Sequence, residues 1–185
     1  AAWPLGLRVA VLGQPGEPAT PMAAGVIEGD WKDQDALMRI GREVGVLTLE
    51  NEFVDAAFLM AVEDAGTPVR PHPARMRVVQ DKALQKQRLA DEGLPVPPFA
   101  VPDSVEDLEA IGRDLGWPLM LKSRHLGYDG YGNALCADIH EARAAYPALA
   151  ERGGGVLAEA FVDFQRELAV MVARRHGGGD AVYPV

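Results

Sequence analysis

The sequence predicts an α/β fold in which a parallel sheet with crossover helices is followed by a smaller α+β region. Three observations carry that expectation. Residues 5–65 alternate short apolar runs with one-sided helical patterns, as strands joined through helices do. A proline-stiffened stretch, "LPVPPFAVP", then interrupts the helical pattern. Beyond it, two strand-like runs are joined by a glycine-rich loop, "GYDGYGN", and not by a helix.

Residues 5–12 form a continuous apolar run with one arginine, ending at "GQPGEP", which predicts a buried parallel strand and a turn. Residues 33–44 place Ala36, Leu37, Ile40 and Val44 on one side, predicting a helix with Asp33 as its cap. The run "VLTLE" at 46–50 predicts a second buried strand. A second helix over 55–65 is stopped by Gly66 and Pro68. Residues 72–92 read as helix in two pieces, Asp81 capping the second and Gly93 ending it. The proline connector carries a short extended segment and marks the main domain boundary.

Ser104 opens the next helix, with Glu106 and Asp107 in a first turn where the helix dipole favours acids. Strands at 118–124 and 133–137 flank the glycine loop, and a helix covers roughly 140–151. Strands at 156–160 and 167–174, a "GGGD" turn and a last strand ending at "YPV" complete the chain. A start inside a strand-like run and a stop on a half-finished strand predict a fragment of something larger.

Composition narrows the function. The chain has 185 residues, about half of them apolar and a quarter charged, enough to bury a core. Its net charge of −9 argues against a bulk electrostatic grip on nucleic acid or an anionic membrane. An anionic small ligand stays compatible, because a few local lysines reverse the field inside one cleft. Cys136 is the only cysteine, so an intrachain disulfide and a cysteine-rich zinc site are both ruled out, and a reducing compartment is expected. No apolar run approaches the ~20 residues a membrane helix needs, and "AAWPLGLRVAVLG" lacks the basic start of a signal peptide. His72, His125, His140 and His176 have no i, i+4 partner, so no zinc site is expected, and His125 reads as a loop histidine.

In the loop, Gly127, Gly130 and Gly132 can take positive φ and present backbone N–H groups without a Cβ in the way. Such donors make an anion-binding concavity, and Lys122 on the entering strand adds a full positive charge. A glycine hairpin with no ligand fits the same residues. Lys82 one helix upstream, Glu159 at the end of the next strand and Glu167 beyond it favour the first reading as an ordered set. Each of them alone is more often a solvated surface charge.

That order resembles the ATP site of ATP-grasp enzymes. "RVVQDKALQKQRLADEGLPVP", "GRDLGWPLMLKSRHLGYDGYGN" and "AEAFVDFQRELAVMVARR" are similar to the 5-(carboxyamino)imidazole ribonucleotide synthases of purine biosynthesis, and to the matching domain of phosphoribosylaminoimidazole carboxylases. The resemblance implies a partial ATP-grasp fold. Residues 1–71 would be part of a Rossmann-like pre-ATP-grasp domain and 72–98 a helical connector. Residues 99–163 would be a lid domain with the flap, and 164–185 the beginning of a truncated C-terminal domain.

It also implies ATP contacts at Lys82 and Lys122, and a phosphate-covering flap from Gly127 through Tyr128, Asp129, Gly130, Tyr131 and Gly132 to Asn133. Glu159, Ala160, Phe161 and Val162 match the hinge whose backbone holds adenine, and Glu167 the carboxylate on the ribose. "LTLENEF" resembles an acidic strand end beside the ribonucleotide substrate, so Glu50 and Glu52 are read either as substrate contacts or as acids closing a strand. The implied reaction is ATP-driven carboxylation of aminoimidazole ribonucleotide with bicarbonate. Mg²⁺ ligands are expected outside this chain, and the implied setting is a homodimer in the cytoplasm, or in a plastid if the source is a plant or alga. Another ATP-grasp carboxylase or formyl-transferring ligase, a non-catalytic ATP-binding module and a plain α/β scaffold are the alternatives.

Overall fold

Two separate clusters of buried apolar side chains form, one from residues before the helix pair at 73–91 together with Met76, the other from residues after it. The computed structural model of the protein describes residues 3–127, 132–175 and 177–185. Tyr128, Asp129, Gly130 and Tyr131 of the expected flap, and His176, lie outside the described residues.

The first cluster is built by strand–helix alternation. Strands β1 (Ala10–Gly13) and β2 (Gly25–Glu28) pair in parallel. Helix α1 (Gln34–Glu43) is capped by the Asp33 carboxylate, which accepts from the Asp35 N–H at 2.9 Å, and buries Ala36, Leu37 and Ile40. Strand β3 (Leu47–Thr48), helix α2 (Ala56–Asp64, capped by Asp55) and strand β4 (Val69–Arg70) follow, with β3 and β4 parallel. Leu37, Ile40, Leu47, Leu59, Val62 and Val69 pack together with Met76 of helix α3 (Pro73–Gln80).

Parallel pairing matches the expectation, but the strands are shorter than the apolar runs that predicted them. Leu5 and Leu7 are exposed, because residues 3–5 form a 3₁₀ turn and Gly6 takes φ +71°, which ends extended backbone before the strand begins. Of residues 46–50 only Leu47 and Thr48 pair, leaving Val46 exposed. Strand β2 was not anticipated, since its apolar content is only Val26 and Ile27.

A single residue, Asp81, separates the end of α3 from helix α4 (Lys82–Asp91), as expected of a cap at that position. The Asp81 carboxylate accepts from the N–H groups of Ala83 and Leu84, and Gly93 at φ +74° closes the far end. The extended segment of the proline connector is strand β5 (Phe99–Ala100). A Ser104–Asp107 capping box opens the 3₁₀ turn that leads into helix α5 (Leu108–Leu115). Strands β6 (Leu119–Ser123) and β7 (Asn133–Cys136), helix α6 (Ile139–Gly153) and strand β8 (Val156–Ala160) complete an antiparallel sheet of order β5-β8-β6-β7.

Strand β6 alternates: Leu119, Leu121 and Ser123 are buried in the second core, and Lys122 projects from the other face. Gly153, the last residue of α6, touches the start of the glycine loop. A Cβ there would lie 2.7 Å from the Ser123 Cβ, 2.9 Å from the His125 carbonyl oxygen and 3.0 Å from the Arg124 nitrogen. Since two of those atoms are backbone, Gly153→Ala is expected to cost about 2 kcal/mol, read as a lower urea midpoint with an unchanged slope. Burial, then the nearby Glu141 and Asp138 carboxylates, push the Cys136 thiol above its usual range. It should therefore react with a thiol reagent only as fast as the second core opens.

After β8 the chain runs exposed to a hairpin of β9 (Val172–Arg174) and β10 (Asp180–Val182). The strand expected over 167–174 is thus confined to its last three residues. Glu167 lies in irregular chain, outside the β9–β10 pairing. Among the described residues no helix is long and apolar enough to cross a membrane.

Candidate nucleotide site

The junction of α3 and α4 is fastened to the start of the glycine loop by a set of bonds that cross between the two clusters. Arg124 donates from Nε to Asp81 Oδ1 at 3.1 Å and from Nη2 to Oδ2. The Lys82 backbone N–H donates to the Arg124 carbonyl at 3.0 Å, and the His125 Nδ1 lies 2.9 Å from the Gln80 carbonyl. Burial alone raises the Asp81 carboxyl, but the Arg124 guanidinium and the two backbone N–H groups outweigh it and hold the group below its ordinary range.

The same junction aims two lysines. Lys82, first residue of α4, places Nζ 3.5 Å from the Gly127 carbonyl at the loop entrance. Burial, and next the neighbouring Lys122, hold the Lys82 ammonium below its ordinary range. Lys122 reaches from β6 and donates to Glu159 Oε2 at 2.9 Å. Lys86, one turn along α4, sits 3.1 Å from Glu159 Oε1, outside hydrogen-bond geometry, so that buried oxygen keeps an unused acceptor. Two ammonium groups, Lys122 and Lys86, thus meet one buried carboxylate, with the Lys82 ammonium close enough to Lys122 to feel its charge, in a chain of net charge −9.

The loop ends meet beside them. Leu126 takes φ +58° and Gly132 φ +87°. The Gly132 carbonyl accepts from the Ser123 N–H at 2.8 Å, and a Cβ on Gly132 would lie 3.4 Å from the Gly127 Cα. Glycine suits position 132 on both counts. Asn133 opens β7 directly opposite Lys122.

Of the expected residues, Lys82, Lys122, Gly127, Gly132, Asn133 and Glu159 come together here. Glu159 sits within β8, opposite Phe99 and Met120, with its side chain engaged by lysines. Ala160 donates its N–H to the Pro98 carbonyl, and Phe161 and Val162 leave the sheet exposed. Glu167 stands in exposed chain. Glu50 and Glu52 line a groove of about 320 Å³ with Asn51, Arg75, Met76 and Val79. Gln80 ties that groove to the junction by donating to the carbonyls of Glu52 at 2.7 Å and Val54 at 2.6 Å. Lys86, Arg124 and Gln80 were not anticipated. Lys86 alone left a signal, its i, i+4 spacing from Lys82 on one helix face. Among the described residues no group of three or more His, Cys, Asp or Glu side chains is placed to hold a metal ion.

The chain is similar to proteins of known kind along its whole length. Residues 1–80 match the ribonucleotide synthetase preATP-grasp domain and residues 87–185 the ATP-grasp domain. It is 36% identical over 169 residues to the N5-carboxyaminoimidazole ribonucleotide synthase of Synechococcus elongatus, covering 91% of this chain and 42% of that protein. It is 35% identical over 186 residues to the phosphoribosylaminoimidazole carboxylase of Schizosaccharomyces pombe, covering 100% of this chain and 33% of the other. The crystal structure of the Aspergillus clavatus N5-carboxyaminoimidazole synthase with ADP and 5-aminoimidazole ribonucleotide superposes with a TM-score of 0.87. The identity is 29%, over 99% of this chain and 47% of that one. The chain therefore spans less than half the length of these relatives. With more than half of its residues in the ATP-grasp match, and with the pre-ATP-grasp domain ahead of it, the chain belongs to the ATP-grasp family.

Proposed function

We propose that the complete gene product carboxylates 5-aminoimidazole ribonucleotide with bicarbonate at the expense of ATP, giving 5-(carboxyamino)imidazole ribonucleotide, ADP and phosphate in purine biosynthesis. This chain supplies one wall of its ATP site. The observation that carries the reading is the convergence of Lys82 and Lys122, from different elements, at the mouth of a glycine loop whose ends touch. The relatives' names and their ADP and ribonucleotide complexes support the substrates.

In this reading Lys82 and Lys122 neutralise the phosphates, and residues 127–133 cover them and keep water from a labile carboxyphosphate. The backbone of Glu159, Ala160, Phe161 and Val162, where the chain emerges from β8, borders the base. Glu167 takes the ribose, and Glu50 and Glu52 border the ribonucleotide in the groove on the far side of Gln80. Residues 1–71 and 99–163 are separate domains joined by the helix pair, and 164–185 begin the third. The protein is a cytoplasmic homodimer, as the family resemblance implies.

A titration of the pH dependence tests the lysine pair. Lys82 is held low by burial and by Lys122, so it loses its proton at lower pH than an ordinary lysine. ATP affinity should fall as pH rises through that point, before ordinary lysines titrate, and Lys82→Arg should abolish the early fall. The reaction itself is tested by following ADP release from the complete gene product with ATP and bicarbonate. Release that depends on aminoimidazole ribonucleotide is expected, and release indifferent to it would sink the substrate assignment.

A further inference from the structure

We propose that Lys86 is the counter-ion that keeps Glu159 charged and in place when Lys122 turns to a bound nucleotide phosphate. This positioning role rests on the nucleotide reading above. Glu159 lies in β8, between β5 and β6 in the sheet, and is 4% exposed. A carboxylate so buried is costly to leave unpaired, and such a group takes up a proton or recaptures a cation. The charged groups paired with it are Lys122 from β6 and Lys86 from α4, with Lys82 of α4 nearby but outside ion-pair contact.

These three lysines are not equivalent. The Lys122 side chain is 26% exposed and its strand runs into the glycine loop, whereas the Lys86 side chain is 15% exposed. Lys82 is directed to the Gly127 carbonyl. Here Lys122 is the hydrogen-bonded partner, and Lys86 stands at 3.1 Å without hydrogen-bond alignment. A phosphate that draws Lys122 away would strip Glu159 of its hydrogen bond, and a small rotation of Lys86 restores one. Because Lys82 and Lys86 are one turn apart on a helix fixed at Asp81, α4 serves phosphate with one lysine and Glu159 with the next.

The test is ATP binding to the complete gene product by calorimetry, in two buffers of different ionisation enthalpy. Lys86→Met is expected to weaken binding about tenfold and to add uptake of about one proton per ATP, because Glu159 then neutralises itself. Lys86→Arg should restore both quantities. Lys86→Met on a Glu159→Gln background should change neither affinity nor proton count relative to Glu159→Gln alone, and this pair decides the matter if Lys86→Met by itself does not fold. Weaker binding without added proton uptake would make Lys86 merely structural and overturn the proposal. So would wild-type binding by Lys86→Met while Lys122→Ala is impaired. Unimpaired binding by Lys122→Ala would instead remove the nucleotide reading.

Discussion

Asp81→Ala is expected to lower the stability of the protein by about 3 kcal/mol, the range for breaking a buried charge pair. Asp81 is 4% exposed and serves three structures at once. It caps α4 through Ala83 and Leu84, holds the Arg124 guanidinium by two bonds, and faces His125 Nε2 at 3.8 Å. Alanine removes all three, and the lost cap alone accounts for about 1 kcal/mol. Asp81→Asn keeps an oxygen for the cap but not the charge, so it should fall between alanine and wild type in urea unfolding. A change below about 0.5 kcal/mol for Asp81→Ala would place the residue among ordinary surface positions.

The pH dependence has a definite sign. The folded carboxyl lies below its ordinary value of 3.8, so the unfolded chain takes its proton first as pH falls. The stabilisation is complete above the ordinary carboxylate range and is lost as pH falls through the folded value. Asp81→Asn should accordingly flatten the acid limb of the stability profile while leaving the alkaline limb unchanged.

Local signals in the sequence located the helices well. Asp33, Asp55 and Asp81 cap the helices that follow them, and α1 buries Ala36, Leu37 and Ile40 as its spacing requires. Strand lengths were less legible, since β3 and β4 hold only two residues each and pairing partners, not apolar content, decide where they stop. Their pairing is set by tertiary contact, to which a run such as "VLTLE" is blind. The site shows the same division. Lys82, Lys122, the glycine loop and Glu159 stand out by residue type and order. The Asp81–Arg124 pair joins residues 43 positions apart and Lys122–Glu159 residues 37 apart, so no local pattern announces either bond. Glu159 carried a further trace, a lone charge inside the buried run "VLAEA" that a strand interior tolerates only with a counter-ion.

Lys122→Ala is expected to weaken ATP binding on the order of 30- to 100-fold, as loss of a charge-assisted contact of about 2–3 kcal/mol would. Its unfolding midpoint should move little by comparison, because Lys86 remains 3.1 Å from Glu159 and leaves that carboxylate paired. His125→Ala offers the contrast. His125 lies next to the same loop, but its ring bonds the Gln80 carbonyl and faces Asp81, so its loss should appear as a modest drop in stability, with ATP affinity within about threefold of wild type. The two substitutions therefore separate charge presented to the ligand from charge and hydrogen bonding that hold the junction together. Equal losses of affinity in the two variants would mean that the loop acts as a structural hairpin and that Lys122 is there to neutralise Glu159 alone. A large loss confined to Lys122 would leave that reading without support, since a purely internal ion pair at this position has no reason to report on nucleotide.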